Sequence, residues 1–395
     1  MTELLSPVGS MAALNAALRF GADAVYLGGP YLQLRAQSAA FSFDDLAEAA
    51  KAVHQAGKRM YVTVNALAYN DEIDKLPNYA NQLLDCGADA AIVSDLGVLT
   101  VIHKACPNLE LHVSTQASCM NYAAAKAWYD LGARRIVLAR EMTVEEIRKL
   151  KNRIPEDLEL EAFVHGAMCM AYSGRCLLSS AILGRSGNRG DCAQPCRWSY
   201  ALVEESRPNQ SFPIVQEGTH SYVLSSRDLN CAAFVNDLID AGVTSLKIEG
   251  RMKTEYYVAV VTNAYRRLID GTMSVEKAQK ELLSVSHRPY TSGFYYGELP
   301  NDHSNAGTYS QTHRFAGTVL SFENGVATIE QRNRFARGDE LEVVSPTIQN
   351  ATVKADDLRD EDGTEIEIAN KVKQILKIKT DVPLSPGDLL RIRIS

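Results

Sequence analysis

The 395-residue sequence lacks any run of about 18 uncharged apolar residues, so no membrane-spanning helix is expected. Met1-Thr2-Glu3-Leu4-Leu5 carries no basic segment and no long apolar stretch before Pro7, unlike a secretory leader, and a cytoplasmic protein is expected. A large charge excess is also missing. The 41 basic and 48 acidic residues leave a net −7, which argues against indiscriminate polyanion binding but leaves room for local basic patches. Apolar residues at 46% and charged residues at 23% exclude disorder by composition. There is no Gly-rich dinucleotide fingerprint, no His-Glu-x-x-His zinc motif and no Gly-x-Ser-x-Gly nucleophile elbow. A chain of this length can bury a large core without covalent staples.

What is present over the first 270 or so residues is a repeat: amphipathic helix, glycine, short apolar strand. Gly21, Gly57, Gly87, Gly132 and Gly242 each precede a strand-like run, namely Ala22–Gly28, Lys58–Asn65, Ala88–Asp95, Ala133–Arg140 and Ser245–Gly250. Glu3–Val8, Leu109–Gln116 and Leu158–His165 complete eight units, and Tyr222–Ser225 is a further candidate. Eight βα units favour a closed (β/α)8 barrel over an open doubly wound sheet. The barrel is expected over 1–285, with a Cys-rich insertion at about 167–221 and a linker over 286–312. From 313 to 395 the composition turns to short strands with Asn324-Gly325 and Asp362-Gly363 hairpin signals, which predicts a small antiparallel β-barrel.

Side chains alternate along a strand, so the apolar set marks the helix-facing side and its complement the barrel axis. That places Tyr61, Thr63 and Asn65, then His112, Ser114 and Gln116, on the axis. Glu159, Glu161, Phe163 and His165 join them, as do Lys247, Glu249 and Arg251. So many inward polar groups form either a self-satisfied network or a pocket at the C-terminal mouth, where active sites of this fold sit. Asn65, Gln116, His165, Glu249 and Arg251 lie at strand ends, and Arg35, Arg140 and Glu141 follow strand ends. Several arginines around one mouth suit a small carboxylate-bearing ligand.

Five of the eight cysteines cluster after the seventh strand: Cys169, Cys176, Cys192, Cys196 and Cys231. Four thiolates there suit an iron–sulfur cluster or zinc, although the spacing matches neither paired zinc knuckles nor a ferredoxin run. Cys86, Cys106 and Cys119 sit in helical contexts and read as small core residues.

The run Glu161-Ala162-Phe163-Val164-His165-Gly166-Ala167-Met168-Cys169, followed by Gly174-Arg175-Cys176-Leu177-Leu178-Ser179, resembles the signature of the collagenase-like peptidase family of unassigned catalytic type. Asp191-Cys192-Ala193-Gln194-Pro195-Cys196-Arg197-Trp198 and Ser245-Leu246-Lys247-Ile248-Glu249-Gly250-Arg251-Met252-Lys253 extend the resemblance over almost the whole chain. Members resemble oxygen-independent hydroxylation proteins acting on tRNA, ribosomal RNA or the ubiquinone ring, and the β-module is most similar to the tRNA branch. The resemblance implies 5-hydroxylation of the wobble uridine with prephenate as hydroxyl source; an electron donor of unknown identity is expected, and a homo- or hetero-oligomer is left open. It further implies a [4Fe–4S] cluster on Cys169, Cys176, Cys192 and Cys231, with Cys196 competing with Cys192 and zinc as the alternative metal.

On this reading His165, Glu249, Arg251 and Glu161 are the catalytic candidates. Arg35, Asn65, Gln116, Arg140, Glu141 and Lys247 would bind the small substrate. Arg185, Arg189, Arg197 and the C-terminal β-module would hold the RNA backbone by charge. Tyr172 and Trp198 either stack on a base or anchor the loop. Two other readings stand beside it. One is a peptidase using Cys169 or Cys176 with His165 as base, or a metal-bound water. The other is a non-enzymatic RNA-binding or assembly factor with a structural cluster.

Overall fold

The computed structural model describes residues 2–34, 40–169, 176–198, 201–203, 211–213, 227–297 and 309–394. Two compact units emerge. The first comprises residues 1–14, 22–253 and 287–309; the second comprises 15–21, 254–286 and 310–395.

In the first unit β1 (Glu3–Pro7), β2 (Ala24–Gly28), β3 (Arg59–Val64), β4 (Ala90–Val93), β5 (Glu110–Val113), β6 (Arg135–Val137) and β7 (Glu159–Ala167) form a parallel ladder in chain order. β8 (Ala201–Val203) and β9 (Ser211–Pro213) pair as a separate antiparallel ribbon. β10 (Asp228–Asn230) follows, and β11 (Ser245–Ile248) then pairs in parallel with both β7 and β1, closing an eight-stranded barrel. β12 (Tyr290–Thr291) lies parallel to β10. The five helix-terminating glycines all adopt positive φ, from +68° at Gly57 to +107° at Gly132. That backbone is strained for any residue with a Cβ, and it lets each helix turn directly into the next strand. Helix starts are capped as their sequences dictate. Ser42 and Asp45 form a reciprocal capping box, and Asp95 accepts from the Gly97 and Val98 amides.

The apolar side of each strand packs outward with no solvent exposure: Val25 and Leu27, Val62 and Val64, Leu160, Leu246 and Ile248. Burying each such side chain is worth about 1.5–3 kcal/mol. The axis holds a small apolar cluster of Leu5, Ala24, Tyr26, Tyr61, Ala90 and Ile92.

β7 is bulged. Lys247 pairs with Phe163, but Ile248 pairs with His165, so Val164 is the extra residue. Beyond the bulge β7 also pairs antiparallel with β10, through His165–Asn230 and Ala167–Asp228.

The second unit contains helices Glu255–Ile269 and Val275–Leu282 and an antiparallel sheet. Its strands are β13 (His313–Glu323), β14 (Val326–Gln331), β15 (Phe335–Ala336), β16 (Glu340–Val344), β17 (Thr352–Lys354), β18 (Leu358–Asp360), β19 (Ile368–Ala369), β20 (Ile375–Lys379) and β21 (Leu389–Arg393). The order is β17-β16-β21-β13-β14-β20-β18, with β15 and β19 as a separate ribbon. Among the described residues the edges β17 and β18 do not pair with each other, so the module is a half-barrel curled around Ala316, Ile329, Leu341, Leu376 and Ile378. Asn324 and Gly325 both have positive φ, as a two-residue primed hairpin between β13 and β14 requires. Of the run Thr364–Ala369, only Ile368–Ala369 forms a strand.

Candidate active site

The interior of the barrel is layered. At the N-terminal end the inward charges satisfy one another. Arg135 donates from Nη1 to Glu3 Oε1 at 2.5 Å and to Glu161 Oε2 at 3.1 Å, and from Nε to Glu159 at 2.7 Å. Lys247 Nζ donates to the other Glu161 oxygen at 2.6 Å, and Tyr61 and Ser245 hydroxyls donate to Glu3. Burial raises the Glu161 pKa, but the Lys247 and Arg135 charges outweigh it and hold the carboxyl at about 2. Glu161 therefore sits below the cavity, with both carboxylate oxygens engaged.

Above this layer opens a cavity of about 350 Å³ at the C-terminal mouth. Thr63 and Asn65 from the end of β3, Ser114 and Gln116 after β5, and Arg140 after β6 line it. Phe163 from β7 joins Lys247, Glu249 and Arg251 from β11 and its continuation. Alternation along β2 also brings in Tyr26, which sequence reading had not singled out. Its neighbours Val25 and Leu27 face the helices, so Tyr26 had to face the axis. Its hydroxyl donates to Ile248 O at 2.9 Å, and Lys247 Nζ lies 4.3 Å from its ring centroid.

Three cations reach the wall. Arg140 lies 4.0 Å over the Phe163 ring and 3.6 Å from Glu249 Oε2. Lys247 is ion-paired to Glu161 beneath. Arg251 donates to Gln33 Oε1 at 3.1 Å, to Thr63 Oγ1 at 2.9 Å and to the Leu34 carbonyl. Arg251 thus ties the loop after β2 to the mouth. A Cβ at Gly28 would lie 2.4 Å from Gln33 Oε1 and 2.8 Å from Arg251 Nη1, so this arrangement needs glycine there.

The roof comes from the Cys-rich insertion. Cys169, Cys176, Cys192 and Cys196 all line the same cavity, together with Ser179, Asn188 and Gln194. Gln194 holds a left-handed backbone, φ +59°, between Cys192 and Cys196. The insertion is fastened to the barrel by Arg189, which donates to Leu67 O at 2.6 Å and grips Glu72 at 2.9 and 3.1 Å. Leu67 N–H donates to Asn188 O at 3.2 Å. Arg185 is bound twice to Asp191 Oδ1, at 2.9 and 2.7 Å. Arg185 and Arg189, expected as RNA contacts, thus spend guanidinium donors on holding the insertion in shape. Trp198 is exposed. Arg35, Tyr172 and the Arg197 side chain lie outside the described residues.

Three other expected residues lie off the wall. The β7 bulge changes the facing of His165, which was expected on the axis. His165 is buried beside Tyr290, whose hydroxyl is 3.4 Å from its Nε2, and burial presses its pKa down to about 3. Glu141 is half-buried outside the lining. Cys231 is solvent-free, with Sγ 4.0 Å from Phe163 O, and burial raises its pKa. No histidine lines the cavity among the described residues.

The donor set fits a thiolate-bound metal group. The described cysteines are all free thiols, four face one chamber, and soft thiolates select iron–sulfur clusters or zinc. Among the described residues no three His, Cys, Asp or Glu side chains already converge at metal-binding spacing.

Peptidase family U32 matches residues 9–305, and the peptidase family U32 C-terminal domain matches residues 311–391. The chain belongs to peptidase family U32. Within this family it is 37% identical to tRNA hydroxylation protein P1 of Bacillus subtilis over 98% of this chain and 94% of that one. It is 34% identical to tRNA hydroxylation protein P of Escherichia coli, over 87% of this chain and 86% of that one. The 23S rRNA 5-hydroxycytidine C2501 synthase of Escherichia coli is 40% identical over 68% of this chain and 39% of its own length.

Proposed function

We propose that this U32 chain hydroxylates RNA, at position 5 of the wobble uridine of tRNA. The names of its relatives support RNA hydroxylation as the class. The observation that carries the reading is the meeting, in one cavity, of four cysteines with Arg140, Lys247 and Arg251.

Cys169, Cys176, Cys192 and Cys231 would hold a [4Fe–4S] cluster, with Cys196 competing with Cys192 for its position. When bound, the cluster supplies electron transfer and a Lewis-acidic iron. The protein residues do the rest. Arg140 and Arg251 attract a dicarboxylate such as prephenate, the proposed hydroxyl source, while Asn65 and Gln116 offer amides to orient it. Lys247 is fixed by Glu161 at the floor. Glu249 lines the wall and is the carboxylate placed to take or return a proton there. An anticodon base, splayed from a single-stranded loop, can reach a pocket at a barrel mouth.

Mass spectrometry of tRNA nucleosides from cells with and without the gene tests the reading. Loss of 5-hydroxyuridine-derived nucleosides is expected, and an unchanged nucleoside profile refutes it. Cys176→Ala should abolish bound iron and activity together; full iron stoichiometry in that variant contradicts the ligand assignment.

A further inference from the structure

We propose that a basic turn on the C-terminal half-barrel is a docking surface for the tRNA backbone. The inference rests on the RNA-hydroxylation reading and adds to it the place where RNA is held. The segments Gln331–Phe335 and Ala369–Gln374 run side by side: Phe335 pairs with Ala369, and Gln331 N–H donates to Gln374 O at 2.9 Å. This brings together Arg334, Lys371 and Lys373, all exposed and without an ion pair among the described residues. Arg314 lies behind them, donating to Arg334 O at 2.9 Å.

Between the two lysines Val372 is 93% exposed, and Ile368 beside the turn is also exposed. Cations flanking a bare aliphatic side chain suit a polymer that presents phosphates and the flat faces of sugars and bases. Nearby carboxylates do not cancel the patch. Glu255 and Glu330 pair with Arg332, and Glu367 lies by Arg337.

Two features speak for a specific role. Lys373 sits at φ +54°, a left-handed conformation that glycine would hold without strain. The lysine holds its charge at the turn at a local backbone cost. The chain from Asp356 to Glu367 carries seven carboxylates against one arginine. That acidic edge leads into the basic turn, so a polyanion is attracted to one end of the strip and repelled from the other. The module thereby orients a polyanion that a net charge of −7 would not attract by itself.

The test uses the full chain and an unmodified tRNA transcript in filter binding over a salt series. The triple variant R334Q/K371Q/K373Q should bind about tenfold or more weakly and show a log–log salt slope reduced by about 2. K371R/K373R should retain wild-type affinity. Lys373→Gly should raise the unfolding temperature while lowering tRNA affinity, a pair of opposite changes that a purely structural lysine would not produce. Wild-type affinity and slope in the folded triple variant overturn the proposal. If tRNA hydroxylation persists in that case, the function reading survives. A wild-type chain that binds no tRNA overturns both.

Discussion

At the scale of single residues, the buried charges of the barrel divide into those that hold the floor and those that face the cavity. Glu161 is the hinge of that division, since it touches Lys247 and Arg135 from below. Glu161→Gln keeps the shape but leaves two buried cations short of a countercharge. We expect a loss of about 3 kcal/mol in chemical denaturation. His165 contributes to the acid sensitivity, alongside His112, whose pKa burial also lowers. The folded pKa of His165, about 3, lies below that of the unfolded chain, so the unfolded state binds more protons between these values. The contribution of neutral His165 is full above pH about 6.5 and falls by about 1.4 kcal/mol per unit toward pH 3. His165→Gln should flatten the stability profile over that window. Glu161 adds its own loss only below its ordinary range, as the pH falls toward 2. An unchanged profile in the His165 variant would show that the imidazole is not buried as a neutral group.

At the scale of elements, the insertion is a roof over the cavity. Arg189 clasps it, joined to Glu72 and Leu67 across the cavity rim. Both partners are partly exposed, so the pair contributes only about 1 kcal/mol or less to overall stability. Its effect is local. Arg189→Ala should leave the melting temperature within a few degrees of wild type, yet speed hydrogen exchange at the Leu67 amide, which donates to Asn188 O. The β7 bulge is a second device at this scale. One extra residue, Val164, frees the end of β7 to pair with β10 and carries Cys169 to the rim.

At the scale of the whole molecule, each unit carries its own core and its own buried ion network. In the second unit Arg391 donates to Glu281 at 2.7 and 3.1 Å, to Glu342 at 3.0 Å and to Ser284 Oγ at 3.0 Å. Glu281 and Glu342 stay partly exposed, so losing this guanidinium should cost about 2 kcal/mol. Arg391→Ala should lower the unfolding transition of the second unit in calorimetry. A single unshifted transition would show that Arg391 is dispensable. No described helix is long and apolar enough to cross a membrane.

The sequence by itself determined the eight βα repeats, because helix-ending glycines and strand alternation are local signals. The same alternation put Thr63, Asn65, Gln116, Lys247, Glu249 and Arg251 on the barrel axis, since parity follows from the pleat alone. Only the tertiary structure decided what that parity could not. A bulge is one residue of slippage against a neighbouring strand, and no pattern within β7 announces it; that is why His165 turned from the axis. Whether an arginine is free or engaged depends on partners distant in the chain, as Arg189 with Glu72 shows, where 117 positions separate the two. The gathering of Cys169, Cys176, Cys192 and Cys196 around one chamber likewise came from loop packing, which spacing along the chain does not encode.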